Sequence, residues 1–451
     1  MPSPVVIFGA GPMPCEPYHA VMAPGARTWQ ITQTVVRALV CRGGAFPEII
    51  VYGLEQQRRD DAAGRSLTFS VSAGGGAPEI TYVPLQYGEF IALPDRMAQH
   101  DFAYPEAVSA VIGCASLQPC STAAGFARVF SAPFWADIFG DPIAEIQTKA
   151  ELFPSEKDAN DTRYHHVWKL LMPALLQSDV ISALSGRQRF CLIGQLGAAG
   201  RLNRHTSGRD FVHTIPYGLF PEDAPSAAAA PAPNPNFTVM WCGSFNTWMD
   251  TASLVRGISE AVKARPNMRF MIVGGKIAGY DERSYTEFLD GIRKADAIHA
   301  VHVMDWQPLA SIRKLYASCD IGLSVDRFSY EAELGSRTRV VNFMAAGKLV
   351  VSTNLTELTG ELAQAGYVLP FRVNDGADLA RALIDAEAKS GGLPALGAAA
   401  RDYVMDHFGG QRAGAALARW IIDPSFAPDK SNPSAPGPDN ELANYWQRCL
   451  S

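Results

Sequence analysis

The chain has few of the features that would place it outside the cytosol or tie it to a metal. Its 451 residues include eight cysteines (Cys15, Cys41, Cys114, Cys120, Cys191, Cys242, Cys319, Cys449), and no two form a C-x-x-C pair. That scatter argues against a zinc site or a disulfide framework and reads as reduced, partly buried thiols. No apolar run reaches the roughly 18 to 20 residues that a membrane-spanning helix needs. The opening residues MPSPVVIFGAG carry neither the basic region nor the long apolar core of a secretory signal. Positive charge is not in excess either. Lys and Arg number 39 against 45 Asp and Glu, a net charge of -6, so nothing in the balance asks for nucleic acid and any anion site must be local. A soluble cytoplasmic protein is expected, with peripheral membrane contact and oligomeric state left open.

What is present is an ordinary globular composition, 47% hydrophobic and 19% charged, too long for one small core. Two domains are the natural division. The apolar run Val5–Phe8 has the continuity of a strand buried on both faces of a parallel sheet. It ends at Gly9 and Gly11, and a second glycine turn at Pro24, Gly25, Ala26 and Arg27 opens a helical segment with Trp29, Val36, Leu39 and Val40 near helical spacing. Strand EIIVYG follows, completing a β–loop–α–β unit of a doubly wound sheet. Neither glycine turn is a G-x-G-x-x-G running straight into a helix, which leaves a dinucleotide fingerprint unsupported. Further strands are expected at ITYVPL and SAVIGCAS. The segment around Trp135, Asp137, Gly140, Asp141 and Glu145 reads as a strand-to-helix junction, with Asp141 ahead of Pro142 also suited to cap that helix. A buried helix is expected over Tyr164–Leu176, its His165 and His166 packing or facing solvent.

The Ala- and Pro-rich stretch 221–236 has little to bury and reads as a linker. After it the strand–loop–helix alternation restarts. The expected division is one doubly wound domain over 1–220, the linker, a second over 237–425, and a tail over 426–451 whose amphipathic helix ELANYWQRCL packs back on the first domain.

The most informative stretch runs from Glu331 to Asn354. A loop bearing Glu331, Glu333, Gly335, Arg337 and Arg339 leads into an apolar helical turn (Val340, Val341, Phe343, Met344), then Gly347 and the strand LVVST. A helix entered this way presents free backbone N–H groups and a positive dipole end to whatever lies in front of it, which suits phosphate.

With these residues in view, the run GSRTRVVNFMAAGKLVVSTN resembles the donor-site signature of the retaining, nucleotide-sugar-dependent glycosyltransferases of family 4, which have the GT-B fold. APGARTWQITQTVVRAL, VHTIPYG, MWCGSFNTWMD, FMIVGGK and DWQPLASIRKLYASCDIGLSV carry the same likeness, which covers most of the chain and is strongest over Val239–Thr353. The fold implied is α/β, two Rossmann-like domains facing across a cleft. The activity implied is sugar transfer from a nucleoside diphosphate to an acceptor hydroxyl with retention, metal-independent and cofactor-free, in bacterial glycan, glycolipid or glycoconjugate synthesis.

In that family two glutamates separated by seven residues touch the donor sugar and the ribose. Here the corresponding positions are Leu334 and Asn342, so Glu333 or Glu331 is the candidate for the sugar and Asn342 for the ribose. The loop GSFNTWMD lacks the family's Arg and Lys. The resemblance therefore puts Arg337, Arg339 and Lys276 on the diphosphate, with Gly243 and Ser244 as neutral donors. In the first domain Phe139 stands where a histidine is expected, leaving Asp137 as a catalytic candidate and Gly25, Arg27 and Asp141 as substrate contacts. A catalytically silent binding protein and a GT-B sugar-nucleotide epimerase are the alternatives.

Overall fold

The computed structural model describes residues 2–55, 66–73, 76, 78–99, 107–225, 236–277 and 279–431. Apolar, β-branched runs separated by Gly- and Pro-bearing turns form two open sheets. The first contains β1 (Val5–Ala10), β2 (Ile49–Leu54), β3 (Leu67–Ser70), β4 (Glu79–Leu85), β5 (Ala110–Gly113), β6 (Phe134–Ile138), β7 (Val180–Ala183) and β8 (Val212–Thr214). Their order is β3-β4-β2-β1-β5-β6-β7-β8, parallel except for β3 at one edge. The second contains β9 (Phe237–Cys242), β10 (Met268–Val273), β11 (Val301–Met304), β12 (Ile321–Ser324), β13 (Val350–Thr353) and β14 (Val368–Phe371), ordered β11-β10-β9-β12-β13-β14 and parallel throughout.

The continuous hydrophobicity of Val5–Phe8 has the expected cause. Val5 and Ile7 enter the core on one face of the sheet while Val6 and Phe8 enter the core on the other, so neither parity can be polar. Strand order reverses beside β1 and again beside β9, and in open α/β sheets ligands bind at such switch points, beyond the carboxyl ends of the strands.

Three local expectations change. Pro24 to Arg27 is not a turn but the first turn of the helix Ala23–Arg42, where proline is tolerated because its missing N–H would have no partner there. The helix expected over Tyr164–Leu176 runs Lys157–Gln177, and its burial begins in earnest only at Leu171. His165 and His166 are exposed. The return to the first domain also comes earlier than residue 426. The helix Leu393–His407 still packs on the second core, whereas Ala415–Ile422 delivers Leu417, Trp420 and Ile421 to the first. Ala427 joins the first core as well, and the buried Arg201 holds Asp429 through two hydrogen bonds of 2.6 and 3.1 Å. Residues 226–235 of the linker, and the whole of the helix expected at 441–450, lie outside the described residues.

Candidate active site in the interdomain cleft

A cleft of about 730 Å³ lies between the two sheets, lined from both domains. Its first-domain wall comes from the residues after β5 (Ala115 to Leu117) and after β6 (Phe139 to Pro142). Its second-domain wall comes from those after β9 (Gly243, Ser244) and from the stretch Glu331 to Asn342. Both walls are strand carboxyl ends, as the topology requires.

The Glu331–Asn354 stretch forms two helices rather than a loop and one turn. Tyr330–Leu334 is capped by Ser329, whose hydroxyl accepts from the Ala332 N–H. Gly335 ends it, and Thr338–Ala345 follows with Arg337 at its N-cap. The Arg337 side chain does not cap that helix, so its first-turn N–H groups face the cleft without a side-chain acceptor.

The two arginines of this stretch have opposite environments. Arg337 is 4% exposed and its guanidinium is committed: Nε donates to Asp326 at 2.8 Å, and Nη1 and Nη2 donate to the Glu331 carboxylate at 3.1 and 2.8 Å. Burial works against its charge, but the carboxylates of Asp326 and Glu331 outweigh it and raise the guanidinium pKa. Arg339 has no carboxylate partner among the ion pairs of the described residues. It lies 3.8 Å from the centroid of the Trp241 ring, its Nη2 donates to the Ser244 carbonyl at 3.2 Å, and its buried Nη1 has no hydrogen-bond partner. Burial lowers its pKa to about 10, so it remains a cation at neutral pH. Gly243, at φ +126°, lets the backbone pass within contact distance of this guanidinium, since an added Cβ would stand 3.4 Å from Nη2. Among the described residues that line the cleft, Arg339 is therefore the cation with a buried, unsatisfied N–H beside a helix entrance.

Glu331 lines the cleft and is 8% exposed, and burial pushes its pKa up to about 7 against the pull of Arg337. Glu145 faces it from the first domain and receives a hydrogen bond from the Tyr280 hydroxyl. Burial raises its pKa too. Asn342 lines the cleft, its Oδ1 accepting from the Tyr217 hydroxyl at 3.2 Å, which leaves its amide N–H groups as donors.

Of the expected site residues, Gly243, Ser244, Glu331, Arg337, Arg339, Asn342 and Asp141 converge on the cleft, and Phe139 lies there too. The others do not. Arg27 and Asp137 are fully buried beneath the first-domain wall, paired at 2.6 and 2.9 Å, with Ser182 also donating to Asp137. Arg27 further holds the carbonyls of Ile215 and Pro216, which fastens the first helix to the chain's exit toward the second domain. Gly25 packs against the Pro12 carbonyl. Lys276 is exposed and paired with Glu282 at 2.8 Å, so it does not reach the anion site. Glu333 is not among the residues that line the cleft, whereas Glu331, two residues earlier, is.

Asp141 caps the helix Pro142–Leu152, accepting from the Ala144 N–H at 2.8 Å. Asp141→Ala is accordingly expected to lower unfolding free energy by about 1 kcal/mol, measured by denaturant titration.

Sequence reasoning missed Asp326, just ahead of the signature, and Asn246, Trp248 and Tyr280, which are far from it in sequence and brought to it by the fold. Among the described residues no group of three or more His, Cys, Asp or Glu side chains is placed to hold a metal ion. No helix among them is long and apolar enough to cross a membrane.

Residues 236–388, the second domain, match the family model described as Glycosyl transferases group 1. Sucrose-phosphate synthase from Thermosynechococcus elongatus is similar in structure, with TM-score 0.63 and 13% identity over 92% of this chain and 98% of that one. HepE from Anabaena, in complex with UDP and glucose, gives TM-score 0.62 and 13% identity over 93% and 99%. A glycosyltransferase from Rickettsia africae gives 0.56 and 14% over 94% and 99%. No curated protein matches by sequence. At these identities the likeness shows the fold, and the fold is GT-B.

Proposed function

We propose that this GT-B protein, whose second domain matches the group 1 glycosyl transferases, moves a sugar from a nucleoside diphosphate to an acceptor hydroxyl with retention at the anomeric carbon. The observation that carries the reading is Arg339, a cation with a free Nη1 stacked on Trp241, beside Gly243, Ser244 and the entrance of the helix Thr338–Ala345. Leaving-group departure puts growing negative charge on the diphosphate. A fixed guanidinium and helix-end N–H groups stabilise that charge without reorganising, in a cleft drier than bulk water. The HepE complexes with UDP and glucose and with UDP-glucose support the choice of ligand class.

In this reading the bond between the anomeric carbon and the diphosphate oxygen breaks as the acceptor oxygen bonds on the same face. The departing phosphate oxygen takes the acceptor's proton, so the protein supplies position and field rather than a strong base. Glu331, held by Arg337, accepts from sugar hydroxyls. Asn342 donates to the ribose. The protein works in the cytoplasm, and the first-domain wall receives the acceptor.

Incubation with UDP-, GDP- and ADP-sugars tests this directly. An enzyme releases nucleotide, while a silent binding protein, the reading favoured by Leu334 and Asn342 at the two family glutamate positions, only shifts melting temperature. Glu331→Gln is expected to lower kcat/KM about tenfold, equivalent to about 1.4 kcal/mol, while Glu333→Gln leaves it unchanged. The reverse pattern in steady-state kinetics would return the sugar contact to Glu333.

A further inference from the structure

Beyond Arg339 the cleft gathers hydrogen-bond acceptors from both domains. Glu331 and Asp326 share Arg337, so the guanidinium has no free fork to offer a ligand. Glu145 and Asp141 enter from the first domain and line the same space. Lys149, on the helix that carries Glu145, lies over the Tyr280 ring at 4.0 Å and is not part of the lining. At this end three carboxylates, Glu331, Glu145 and Asp141, thus stand beside an Arg337 that is already engaged, while Arg339 is the cation assigned above to the diphosphate.

An independent feature points the same way. Asn246 lines the cleft at 7% exposure, its Nδ2 donates to the Ser244 hydroxyl at 3.2 Å, and its Oδ1 is buried with no partner. A buried amide oxygen without a donor keeps its desolvation penalty until something donates to it. Trp248 completes the wall with an apolar face for ring C–H groups.

We infer that this end of the cleft selects a neutral, hydroxyl-rich sugar and rejects a uronic acid. This rests on the nucleotide-sugar reading above and narrows it to a donor class. Hydroxyl protons satisfy Glu331, Glu145 and Asn246 together. A sugar carboxylate in their place faces the carboxylates of Glu331 and Glu145 with no cation free to pair with it at this end, and burying a charge without a partner is strongly unfavourable.

The test uses whichever of UDP, GDP and ADP binds the wild-type protein most tightly, together with its glucose and glucuronate conjugates, in calorimetric titrations. The glucose conjugate is expected to bind at least about tenfold more tightly than the glucuronate conjugate. Glu145→Gln, and Glu331→Gln, should each narrow that gap by removing a negative charge. Equal affinity of the two conjugates for the wild-type protein overturns the inference while leaving the nucleotide-sugar reading intact. A gap unchanged in both folded variants overturns it as well. Failure of all three nucleotides to bind overturns the reading and the inference with it.

Discussion

Arg339→Ala is expected to lower nucleotide release from the preferred sugar nucleotide by at least about 100-fold, equivalent to about 2.7 kcal/mol of transition-state stabilisation. The expectation follows from an imbalance that folding alone does not explain. The guanidinium is desolvated enough to bring its pKa down to about 10, has no carboxylate partner among the described residues, and leaves Nη1 unsatisfied. A cation so desolvated and unpaired gains most when an anion arrives, and gains more as that anion's charge grows. The fold should tolerate its loss. The ring contact with Trp241 and one hydrogen bond to the Ser244 carbonyl disappear, but so does a buried cation. Unfolding free energy is therefore expected to stay within about 1 kcal/mol of wild type. Arg339→Lys should recover little, because an ammonium neither stacks on the indole nor presents a fork to two phosphate oxygens. Steady-state kinetics beside a denaturant titration separates the two effects. Full activity in the alanine variant would remove the anion assignment.

Arg337→Ala is expected to act on the other axis, costing about 3–5 kcal/mol of stability. Removing this guanidinium leaves Asp326 at 3% and Glu331 at 8% exposure facing each other with no counterion. The direction of the pH response follows from the same geometry. Burial already holds Glu331 near pKa 7, and loss of Arg337 removes the pull that keeps it that low, so its carboxyl in the variant takes up a proton at higher pH. A carboxyl whose folded pKa exceeds its unfolded value weakens the fold where it is ionised, that is, as pH rises through the folded pKa. The variant should therefore begin to regain stability while the pH is still above about 7, as it falls through the raised folded pKa. Thermal unfolding of the variant between pH 6 and 8 shows this as a higher melting temperature at the acid end. A variant as stable as wild type at pH 8 would mean the carboxylates relax apart and the ion network is not structural.

The contrast between these neighbours explains how far the sequence could be read. The two-domain architecture was legible because its signals are periodic and local: continuous apolar strands such as Val5–Phe8, glycine stops, and a restart of the alternation after the Ala/Pro stretch. The signature around Arg337 to Gly347 located the cleft for the same reason. What the sequence did not separate was the role of each charge. Arg337 and Arg339 are two residues apart in one basic run, yet one points at Asp326, brought in from the end of β12, and the other at Trp241 on β9. Similarly, Arg27 and Asp137 stand 110 positions apart, and nothing in either local sequence reveals that they neutralise each other under the cleft rather than line it. Glu331 and Glu333 are indistinguishable until the short helix Tyr330–Leu334 turns one inward. Charge pairing across a sheet is set by strand order, which periodicity does not encode.

The account stands most directly on one titration. UDP, GDP and ADP are each added to the wild-type protein and to Arg339→Ala in a calorimeter. The expected result is that at least one nucleotide binds the wild-type protein at one site per chain, and that the alanine variant, still folded, binds it at least about tenfold more weakly. Binding of all three at equal strength in both proteins, or of none to the wild type, would contradict the assignment of this cleft to a nucleoside diphosphate.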